Sequence, residues 1–392
     1  MKRFNKQEEN RKRNMLAEEG VYKMQKHKEG ITIRHVRESD AEAIRDMFAQ
    51  DACYPSTTHL PYPTIAFWQQ RFSKIPSGEY HFVAERDGEF IGSVMIMTPS
   101  SPRRRHTALF GITIREEFQG QGIGSLLMDV VIDFCHNWLA VTRIELGVYI
   151  DNDNDNDNDN DNDNDNDNDA AVALYKKFGF VIESTSMKDI FRNGKYIDGY
   201  KMVKLLTPSP LSKQTDSLSR NTLRKSPASV FSTEQINIRH SEPSDAKQVQ
   251  ALYEQPSCYA NTLQLPYPSE ANWHNKLTNM SHSLVVEYQG EIIAQAGLFT
   301  FSRSRVQHQA GLGMAVSEQY QGQGIGSILL TEILNLAFNW MALKRITLEV
   351  YIDNHAGIAL YKKHGFSTEG TARQFAFRDG QYVDVHYMAL CK

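Results

Sequence analysis

The hydrophobic positions along the chain fall into two similar series, and each series predicts a mixture of strands and helices. The first series predicts strands over Ile31–His35, Phe82–Glu85, Glu89–Met97, Ala108–Ile114 and Ile144–Ile150. The second predicts strands over Ile236–His240, Val285–Leu298 (as a hairpin), Leu312–Val316 and Ile346–Ile352. Apolar residues at helical spacing cover Ser125–Leu139 and Ser327–Ala342. Strands and helices mixed around one sheet are typical of an α+β fold.

Turn-forming residues separate the predicted elements. Four dipeptides favour tight hairpin turns: Asp87-Gly88, Asn193-Gly194, Gln289-Gly290 and Asp379-Gly380. Ser39 and Ser244 are the predicted N-caps of the helix that follows the first strand of each series. A later short helix ends at Gly179 in the first series and at Gly365 in the second.

The two series are copies of one domain. The segment QGQGIGSLL from Gln119 returns as QGQGIGSIL from Gln321, and ALYKKFGF from Ala173 returns as ALYKKHGF from Ala359. The offset between the copies falls from 202 to 186 residues because the first copy alone contains eight additional Asp-Asn units. A period near 200 residues is too long for a solenoid, so the pattern indicates tandem duplication of a whole domain.

The length of 392 residues suits two domains. We predict the first at 31–206, with a low-complexity Asp-Asn insertion at 153–168, and the second at 233–392. The segment between them, 207–232, is rich in Ser and Pro and is typical of a flexible linker. Residues 1–30 carry nine Lys or Arg against five Glu and form a basic flexible tail.

Charge and composition narrow the possible partners. The whole chain has a net charge of −4. Ten aspartates of the run at 151–169 account for this sign, since the rest of the chain has a net charge of +6. No aromatic interleaving or recognised module accompanies the basic tail, so a nucleic-acid partner is not expected. We expect the Asp-Asn run to be disordered; it could bind cations weakly, but a specific calcium site is not expected.

No apolar run approaches the ~20 residues of a membrane span, and no secretory signal is evident at the N-terminus. The four cysteines lack disulfide-scaffold or zinc-module spacing, which predicts no metal site. We therefore expect a cytoplasmic protein with reduced thiols and no membrane partner.

The strongest chemical signal is the sequence QGQGIG, which follows a predicted strand and precedes a predicted helix in both copies. Glycines let the backbone approach a ligand closely, and free N–H groups at the helix start bind phosphate or pyrophosphate. No Lys-Ser/Thr follows the glycines, which excludes a Walker A loop. The GxGxG spacing and its late position in the domain also differ from the dinucleotide-binding fingerprint.

Here the sequence resembles the GNAT acetyltransferases. Both copies of QGQGIG match that family's Q/R-x-x-G-x-G/A pyrophosphate loop, and YIDNHAGIALYKKHGF from Tyr351 resembles its next motif. The resemblance covers nearly all of both domains and implies two tandem GNAT-fold domains, each a mixed, mostly antiparallel twisted sheet flanked by helices. It also implies acetyl-coenzyme A (acetyl-CoA) as donor and transfer of the acetyl group to a primary amine. Tandem copies further permit packing of the two domains as an intrachain pseudo-dimer.

The resemblance implies two matching sets of cofactor-binding residues. In the first domain these are Ile114, Gln119, Gly120, Gln121, Gly122, Ile123 and Gly124. In the second domain they are Val316, Gln321, Gly322, Gln323, Gly324, Ile325 and Gly326. Asn354 should cap the helix near the cofactor, and either Asn152 or Asn168 could play that role in the first copy.

The reaction requires a base for the attacking amine and an acid for the departing thiolate. Tyr361 and Tyr175 match the family's helix tyrosine, and a hydroxyl with a pKa of ~10 suits the acid role. The structural alternative for each is a tyrosine that serves the core of an amphipathic helix.

Glu349 matches the strand glutamate that acts as base in ribosomal-protein N-terminal acetyltransferases. Gly147 occupies that place in the first copy, where Glu145 lies two residues earlier on the same strand face, displaced by ~7 Å. A solvated strand position is the alternative for both glutamates. His106 and His308 are alternative bases, although a structural hydrogen-bonding role is favoured for them.

Aromatic residues mark a candidate acceptor region. In the family the corresponding stretch contributes to the acceptor pocket, and here it contains Tyr54, Tyr62, Trp68, Tyr259, Tyr267 and Trp273. The sequence slightly favours a core role for these six residues over a role in acceptor binding. Trp138 and Trp340 lie on apolar helix faces and are predicted to be core.

Together these observations predict an N-acetyltransferase that acts on the amine of a small molecule, and an amino acid is a candidate for this acceptor. Two alternatives remain open at this point. The acceptor could be a protein N-terminus or lysine, and the first domain could be a non-catalytic cofactor-binding or scaffold module.

Overall fold

A computed structural model of the chain describes residues 30–150, 168–206 and 235–392. The predicted linker, the basic tail up to residue 29 and all of the Asp-Asn insertion except Asn168 lie outside these residues, as does Asn152. The chain divides into two compact units. Unit 1 contains the residues up to Leu206 together with Arg303–Arg305, and unit 2 contains the remaining residues to Lys392.

The seven strands of each unit are arranged as a mixed sheet. In unit 1 these are β1 (Ile31–His35), β2 (Glu79–Arg86), β3 (Glu89–Met97), β4 (Thr107–Ile114), β5 (Arg143–Ile150), β6 (Val181–Arg192) and β7 (Lys195–Leu205). Their spatial order is β1-β2-β3-β4-β5-β7-β6. Neighbours are antiparallel except for the parallel pair β4 and β5.

Unit 2 repeats this topology. Its strands are β8 (Ile236–His240), β9 (Ser283–Tyr288), β10 (Glu291–Thr300), β11 (Gln309–Val316), β12 (Arg345–Tyr351), β13 (Ser367–Arg378) and β14 (Gln381–Cys391). The order is β8-β9-β10-β11-β12-β14-β13, and only β11 and β12 run parallel. The predicted α+β class is confirmed in both units.

Helices flank both sheets. Unit 1 contains α1 (Ala41–Phe48), α2 (Ile65–Ser73), α3 (Ile123–Asp133) and α4 (Asp169–Lys177). Unit 2 contains α5 (Ala246–Glu254), α6 (Pro256–Ala260), α7 (Glu270–Asn279), α8 (Ile325–Asn335) and α9 (His355–Lys363). The main core of each unit lies between the sheet and the long helix α3 or α8, whose buried side chains include Leu127 and Leu329. No helix in the described ranges is long and apolar enough to cross a bilayer.

The prediction that Trp138 and Trp340 belong to the core is wrong. Their side chains are 65% and 78% exposed. Each tryptophan ends a single π-helical turn, in which Leu139 N–H donates to Phe134 O and Met341 N–H donates to Leu336 O. The residue that a π turn adds rotates the following side chains by about 100° relative to a continuous α-helix. Extrapolation of the apolar spacing therefore fails at the last turn.

The predicted N-caps Ser39 and Ser244 are also wrong. Each serine lies inside a short 3₁₀ turn, and the aspartate after it closes that turn: Asp40 accepts from Arg37 N–H at 2.6 Å, and Asp245 accepts from Glu242 N–H at 2.7 Å. The Arg34 guanidinium donates two hydrogen bonds of 2.8 Å to Asp40. Burial alone would raise the pKa of Asp40, but these hydrogen bonds outweigh it and leave the pKa below its ordinary value.

We expect Asp40→Ala to destabilise unit 1 by about 3 kcal/mol, since it leaves the buried Arg34 charge without its main partner. The side chains of Arg34 and Asp40 are only 7% and 9% exposed, whereas Arg239 in the matching pair of unit 2 is 33% exposed. Asp245→Ala is therefore the control with the smaller effect. Because the folded-state pKa of Asp40 is lowered, its contribution is full at neutral pH and is lost as the pH falls below ~4. Amide hydrogen exchange of β1 and β8 measures each unit separately, and equal loss of protection in both variants would contradict this prediction.

Candidate active site

The two parallel strands of unit 2 separate along their length. Strands β11 and β12 pair at three positions, from Gln309 opposite Arg345 to Gly311 opposite Thr347. Both strands then continue, β11 to Val316 and β12 to Tyr351, without further pairing to each other. Unit 1 shows the same separation after Leu109 opposite Glu145. The separated ends leave room for an extended ligand between two strand backbones that carry hydrogen-bonding groups.

The QGQGIG loop lies at the end of the strand that separates, as predicted. Gly322 and Gly324 have φ values of 75° and 89°, and a Cβ at either position would meet no atom within 4 Å. In unit 1 Gly120 and Gly122 also have positive φ values, 70° and 80°, and a Cβ on Gly120 would likewise meet no atom within 4 Å. The first helical residues, Ile325 in unit 2 and Ile123 in unit 1, follow directly. The loop therefore exposes its backbone in front of first-turn amides, which is the arrangement that binds phosphate groups.

The third glycine of each loop has a packing role. A Cβ on Gly326 would lie 3.2 Å from Leu360 Cδ2, and one on Gly124 would lie 2.9 Å from Leu174 Cδ2. These leucines belong to α9 and α4. The glycines thus allow the helix after the loop to approach the next helix closely.

The glutamines of the loop hold its shape. Gln321 Nε2 donates to Val316 O at 2.9 Å, and Gln119 Nε2 donates to Ile114 O at 3.1 Å. Gln323 Nε2 likewise donates to Gln319 O at 2.7 Å. Each of these bonds fastens the loop to the residues just before it.

Gln121 Nε2 makes the corresponding bond in unit 1, to Glu117 O at 2.9 Å. Its Oε1 also accepts from Arg86 at 2.8 Å, a contact that places a guanidinium beside the unit 1 loop. The side chains of Ile123 and Ile325 are buried in the core. Only their backbone can meet a ligand.

A cavity of ≈ 630 Å³ opens in unit 2 beside the separated strands. Its lining includes two residues predicted to be catalytic, Glu349 from β12 and Tyr361 from α9. Glu349 is exposed, and its strand position faces Tyr387 of β14. Burial raises the pKa of Tyr361 to about 12, so its hydroxyl is protonated at neutral pH. The cavity thus brings a carboxylate and a phenol to one space.

A buried polar network forms part of the same lining. Tyr253 O–H donates to Gln295 Oε1 at 2.7 Å, and Gln295 Nε2 donates to Ser283 Oγ at 2.8 Å. Gln295 is only 2% exposed, so these bonds fix its orientation. The Tyr253 ring stacks on Trp273 with ring centroids 4.4 Å apart. The aromatic pair and the amide give this part of the cavity a rigid wall.

Comparison with known proteins agrees with this geometry. The profile described as the acetyltransferase (GNAT) family matches residues 42–157 and 249–366, together more than half of the chain. The chain belongs to the GNAT acetyltransferase family. It is 39% identical over 175 residues to the L-amino acid N-acetyltransferase AaaT of Escherichia coli (strain K12), covering 45% of this chain and 98% of that protein.

Two further comparisons have lower coverage or identity. The spermidine N(1)-acetyltransferase of Escherichia coli (strain K12) is 30% identical over 124 residues, covering 32% of this chain and 57% of that protein. A solved GNAT acetyltransferase from Streptococcus pneumoniae is 27% identical with a TM-score of 0.37, covering 40% of this chain and 98% of that chain.

As a GNAT protein, the chain is an N-acetyltransferase with acetyl-CoA as its donor. The residues present fit this donor. The open side of Gly322 and Gly324 accommodates phosphate oxygens that a Cβ would obstruct, and the separated ends of β11 and β12 accommodate a narrow chain. Unit 1 provides the same two features through the open side of Gly120 and the separation of β4 from β5.

The residues predicted to be catalytic differ between the units of this GNAT protein. Gly147 stands in unit 1 where unit 2 has Glu349. Glu145 lies in an ion-pair cluster, 2.6 Å from Arg104 Nη2 and 2.6 Å from Arg143 Nε. Burial alone would raise the pKa of Glu145, but the two arginines lower it below its ordinary value. Such a carboxylate is a weaker base, which argues against the predicted role of Glu145.

Tyr175 is more enclosed than Tyr361. It is 9% exposed, with its ring centroid 5.8 Å from that of Phe110, where unit 2 has Leu312. Burial raises the pKa of Tyr175 to about 12 as well. The phenol chemistry is therefore retained in unit 1, in more crowded surroundings.

The asparagines behave differently in the two units. Asn354 caps α9 as predicted, since its Oδ1 accepts from Gly357 N–H at 3.0 Å. Asn168 precedes α4 but makes no such cap, and its Nδ2 donates to Tyr149 O at 2.7 Å. The shared sequence position therefore does not give a shared hydrogen bond.

The alternative bases His106 and His308 lie just before β4 and β11, where their main-chain oxygens accept hydrogen bonds. His106 O accepts from Thr142 and Arg143 N–H, and His308 O accepts from Lys344 and Arg345 N–H. These main-chain bonds tie the residues before β4 and β11 to the starts of β5 and β12, and His308 does not line the unit 2 cavity.

The six aromatic residues of the predicted acceptor region divide into three groups. Trp68 and Trp273 are buried, in agreement with a core role, and Trp273 also lines the cavity. Tyr62 and Tyr267 are 92% and 94% exposed, so a core role is wrong for them. Tyr54 and Tyr259 are half-buried.

Sequence reasoning did not select three residues that line the cavity: Lys276, Gln295 and Tyr253. Gln295 interrupts the apolar run EIIAQAGLF, and an interruption of this kind is a signal for a buried polar residue. Lys276 follows Trp273 by three residues, as Arg71 follows Trp68. A positively charged residue at the same place in both copies was a signal for a functional side chain in this region.

Proposed function

We propose that unit 2 transfers the acetyl group of acetyl-CoA to the primary amine of a small molecule that binds in the ≈ 630 Å³ cavity. The observation that carries this proposal is the presence of Glu349 and Tyr361 in the lining of one cavity beside the separated strands. The volume falls within the roughly 300–1,000 Å³ typical of small-molecule sites. The names of the Escherichia coli relatives, an L-amino acid and a spermidine N-acetyltransferase, also favour a small amine.

The donor would be held by the unit 2 loop from Gln321 to Gly326 and the adjacent end of β11 at Val316. Bound acetyl-CoA supplies the acetyl group as a thioester. The amides at the start of α8 bind the pyrophosphate, and Asn354 fixes the start of α9, which carries Tyr361. These residues orient the thioester toward the cavity.

Glu349 accepts the proton that the amine loses as its nitrogen forms the new bond to the acetyl carbon. Tyr361 donates its hydroxyl proton to the sulfur as the carbon–sulfur bond breaks, and is reprotonated from solvent. The products are an N-acetylated amine and the free thiol. The buried wall formed by Trp273 and Tyr253 excludes water from one side of the reacting groups.

Glu349→Gln tests the proposed base. The substitution keeps the shape of an exposed side chain, so the fold should be unaffected. We expect kcat/KM at pH 7 to fall by ~10²-fold, with the deficit narrowing at high pH as more of the amine becomes neutral. Thiol release across a pH series measures this.

The matched control is Glu332→Gln, an exposed glutamate on α8 outside the cavity lining. It should leave the profile unchanged. If kcat/KM of Glu349→Gln depends on pH in the same way as that of the parent enzyme, with no deficit that narrows at high pH, Glu349 is removed from the mechanism.

A second function is favoured for unit 1: binding of acetyl-CoA without efficient turnover. It has the open loop glycine Gly120, but Gly147 replaces the proposed base and Glu145 is held by two arginines. The space at Gly147 is open, since a Cβ there would meet no atom within 4 Å. Unit 1 is therefore the weaker catalyst of the two on this proposal.

A further inference from the structure

We propose that Lys276 recognises an anionic group of the acceptor, so that the substrates of unit 2 are amines that also carry a carboxylate, as amino acids do. This inference rests on the proposed function, because it takes the unit 2 cavity as the acceptor site. It adds a specificity residue and a substrate class that the catalytic pair alone does not define.

Lys276 is well placed for this role. It lies in the last turn of α7 and lines the cavity together with Trp273 and Gln264. Its ammonium lies 4.4 Å from the centre of the Trp273 ring and 2.6 Å from Gln264 Oε1. Both partners are neutral, and in the described part of the chain Lys276 has no carboxylate partner. The positive charge therefore remains uncompensated at the cavity.

The cavity lining contains one lysine, Lys276, which carries a positive charge, and one glutamate, Glu349, which carries a negative charge. An amino acid in its reactive form has a neutral amine and a carboxylate, which correspond to Glu349 as base and Lys276 as counter-ion. Apolar lining residues, among them Leu298, Leu312 and Phe375, suit an uncharged side chain. A polyamine would instead bring further cations to a site that already holds an ammonium, at an electrostatic cost.

Unit 1 contains the same position with its charge neutralised. Arg71, the counterpart of Lys276, lies 2.6 Å from Glu79 Oε2. Ser281 occupies the position that Glu79 has in unit 1. His81 pairs with Met95, and Ser283 pairs with Gly297 at the corresponding place in unit 2. Glu79 and Ser281 each lie two residues before these paired positions. Replacement of this carboxylate by Ser281 leaves the unit 2 cation available to a ligand.

Lys276 is exposed overall, but its ammonium lies against the Trp273 ring, and this partial withdrawal from water lowers the pKa of Lys276 from its ordinary value. Withdrawal from water disfavours the ammonium, and a carboxylate bound beside it would offset that cost. The stacking of Trp273 on Tyr253 holds the platform beneath the ammonium in place. The site is thus prepared for an anion without rearrangement of its wall.

The test compares phenylalanine with phenylalaninamide, in which a neutral amide replaces the carboxylate, as acceptors for the full-length protein, with kcat/KM expressed per neutral amine because the amide also has the lower amine pKa. The parent enzyme should prefer phenylalanine. Lys276→Met should lower kcat/KM for phenylalanine by ~10–100-fold, mostly through KM, and change the value for the amide by less than ~3-fold. Lys276→Arg should retain the preference.

Ser281→Glu provides an independent variant, because it supplies Lys276 with the carboxylate that Arg71 has in unit 1. It should reduce the preference in the same direction as Lys276→Met. Arg71→Met is the control in unit 1 and should leave the preference unchanged, and thermal unfolding checks that each variant is folded.

Equal losses for phenylalanine and its amide in Lys276→Met, or no loss for either, would overturn the inference. So would a parent enzyme that acetylates the amide or spermidine in preference to phenylalanine. Failure of the proposed function has a different signature: the parent would bind acetyl-CoA but acetylate none of the three amines.

Discussion

Replacement of Tyr361 by phenylalanine should lower kcat of the full-length enzyme by ~10²–10⁴-fold and leave the affinity for acetyl-CoA nearly unchanged. Phenylalanine retains the ring, whose centroid lies 5.7 Å from that of Phe366. Within the described ranges the Tyr361 hydroxyl has no hydrogen-bond partner, so its removal breaks no structural bond. The loss would therefore report on the proton that the hydroxyl donates.

Tyr175→Phe is the matched control in unit 1. Tyr175 is enclosed by Phe110 and Phe180, at ring-centroid distances of 5.8 Å and 6.1 Å, and no glutamate stands at position 147. We expect kcat to change by less than ~3-fold. Steady-state kinetics of both variants, with acetyl-CoA titrated separately, distinguishes the units. A dominant loss from Tyr175→Phe would assign the chemistry to unit 1.

The pH profile gives an additional check on Tyr361. Burial raises its pKa to about 12, so the acid remains protonated across the accessible alkaline range. The parent rate should rise with pH as the amine becomes neutral, and should not fall between pH 8 and 10 through loss of this proton. A falling limb in that range would indicate an acid with a lower pKa.

The fold could be predicted well because its signals are local and occur twice. Asp87 and Gln289 both adopt positive φ, 52° in each case, before a glycine, which is the backbone of the predicted hairpin turns. Strands Ile31–His35 and Ile236–His240 begin and end as predicted. Each of these features depends on a few neighbouring residues, so the sequence alone was sufficient.

Errors arose where a distant residue decides the outcome. Ser39 is a good cap by residue type, but it lies inside a 3₁₀ turn that Asp40, held in position by Arg34, closes through its bond from Arg37 N–H. Glu145 and Glu349 lie on the same face of corresponding strands. The partner that differs, Arg104, comes from another element, and the sequence of β5 does not reveal its contact with Glu145.

The candidate site was predictable in part for the same reason. The loop glycines and Tyr361 belong to contiguous motifs, and Gly326 of the loop packs against Leu360, the residue before Tyr361. The cavity wall combines Tyr253 from α5, Lys276 from α7 and Gln295 from β10, which are separated along the chain. Only the fold brings these three residues together.

Gly324→Asp should raise the KM for acetyl-CoA by ~100-fold or more, because it places a carboxylate beside the amides at the start of α8 where the pyrophosphate is proposed to bind. Gly324 has a φ of 89°, so any side chain adds strain, but Asp and Asn tolerate this region better than other residues. Gly324→Asn therefore has similar shape and strain without the charge, and we expect a much smaller effect.

Gly122→Asp makes the same change in unit 1 and should leave the KM nearly unchanged if unit 2 performs the turnover. A KM that responds equally to Gly324→Asn and Gly324→Asp would attribute the effect to backbone strain, and an unchanged KM in Gly324→Asp would remove this loop from donor binding.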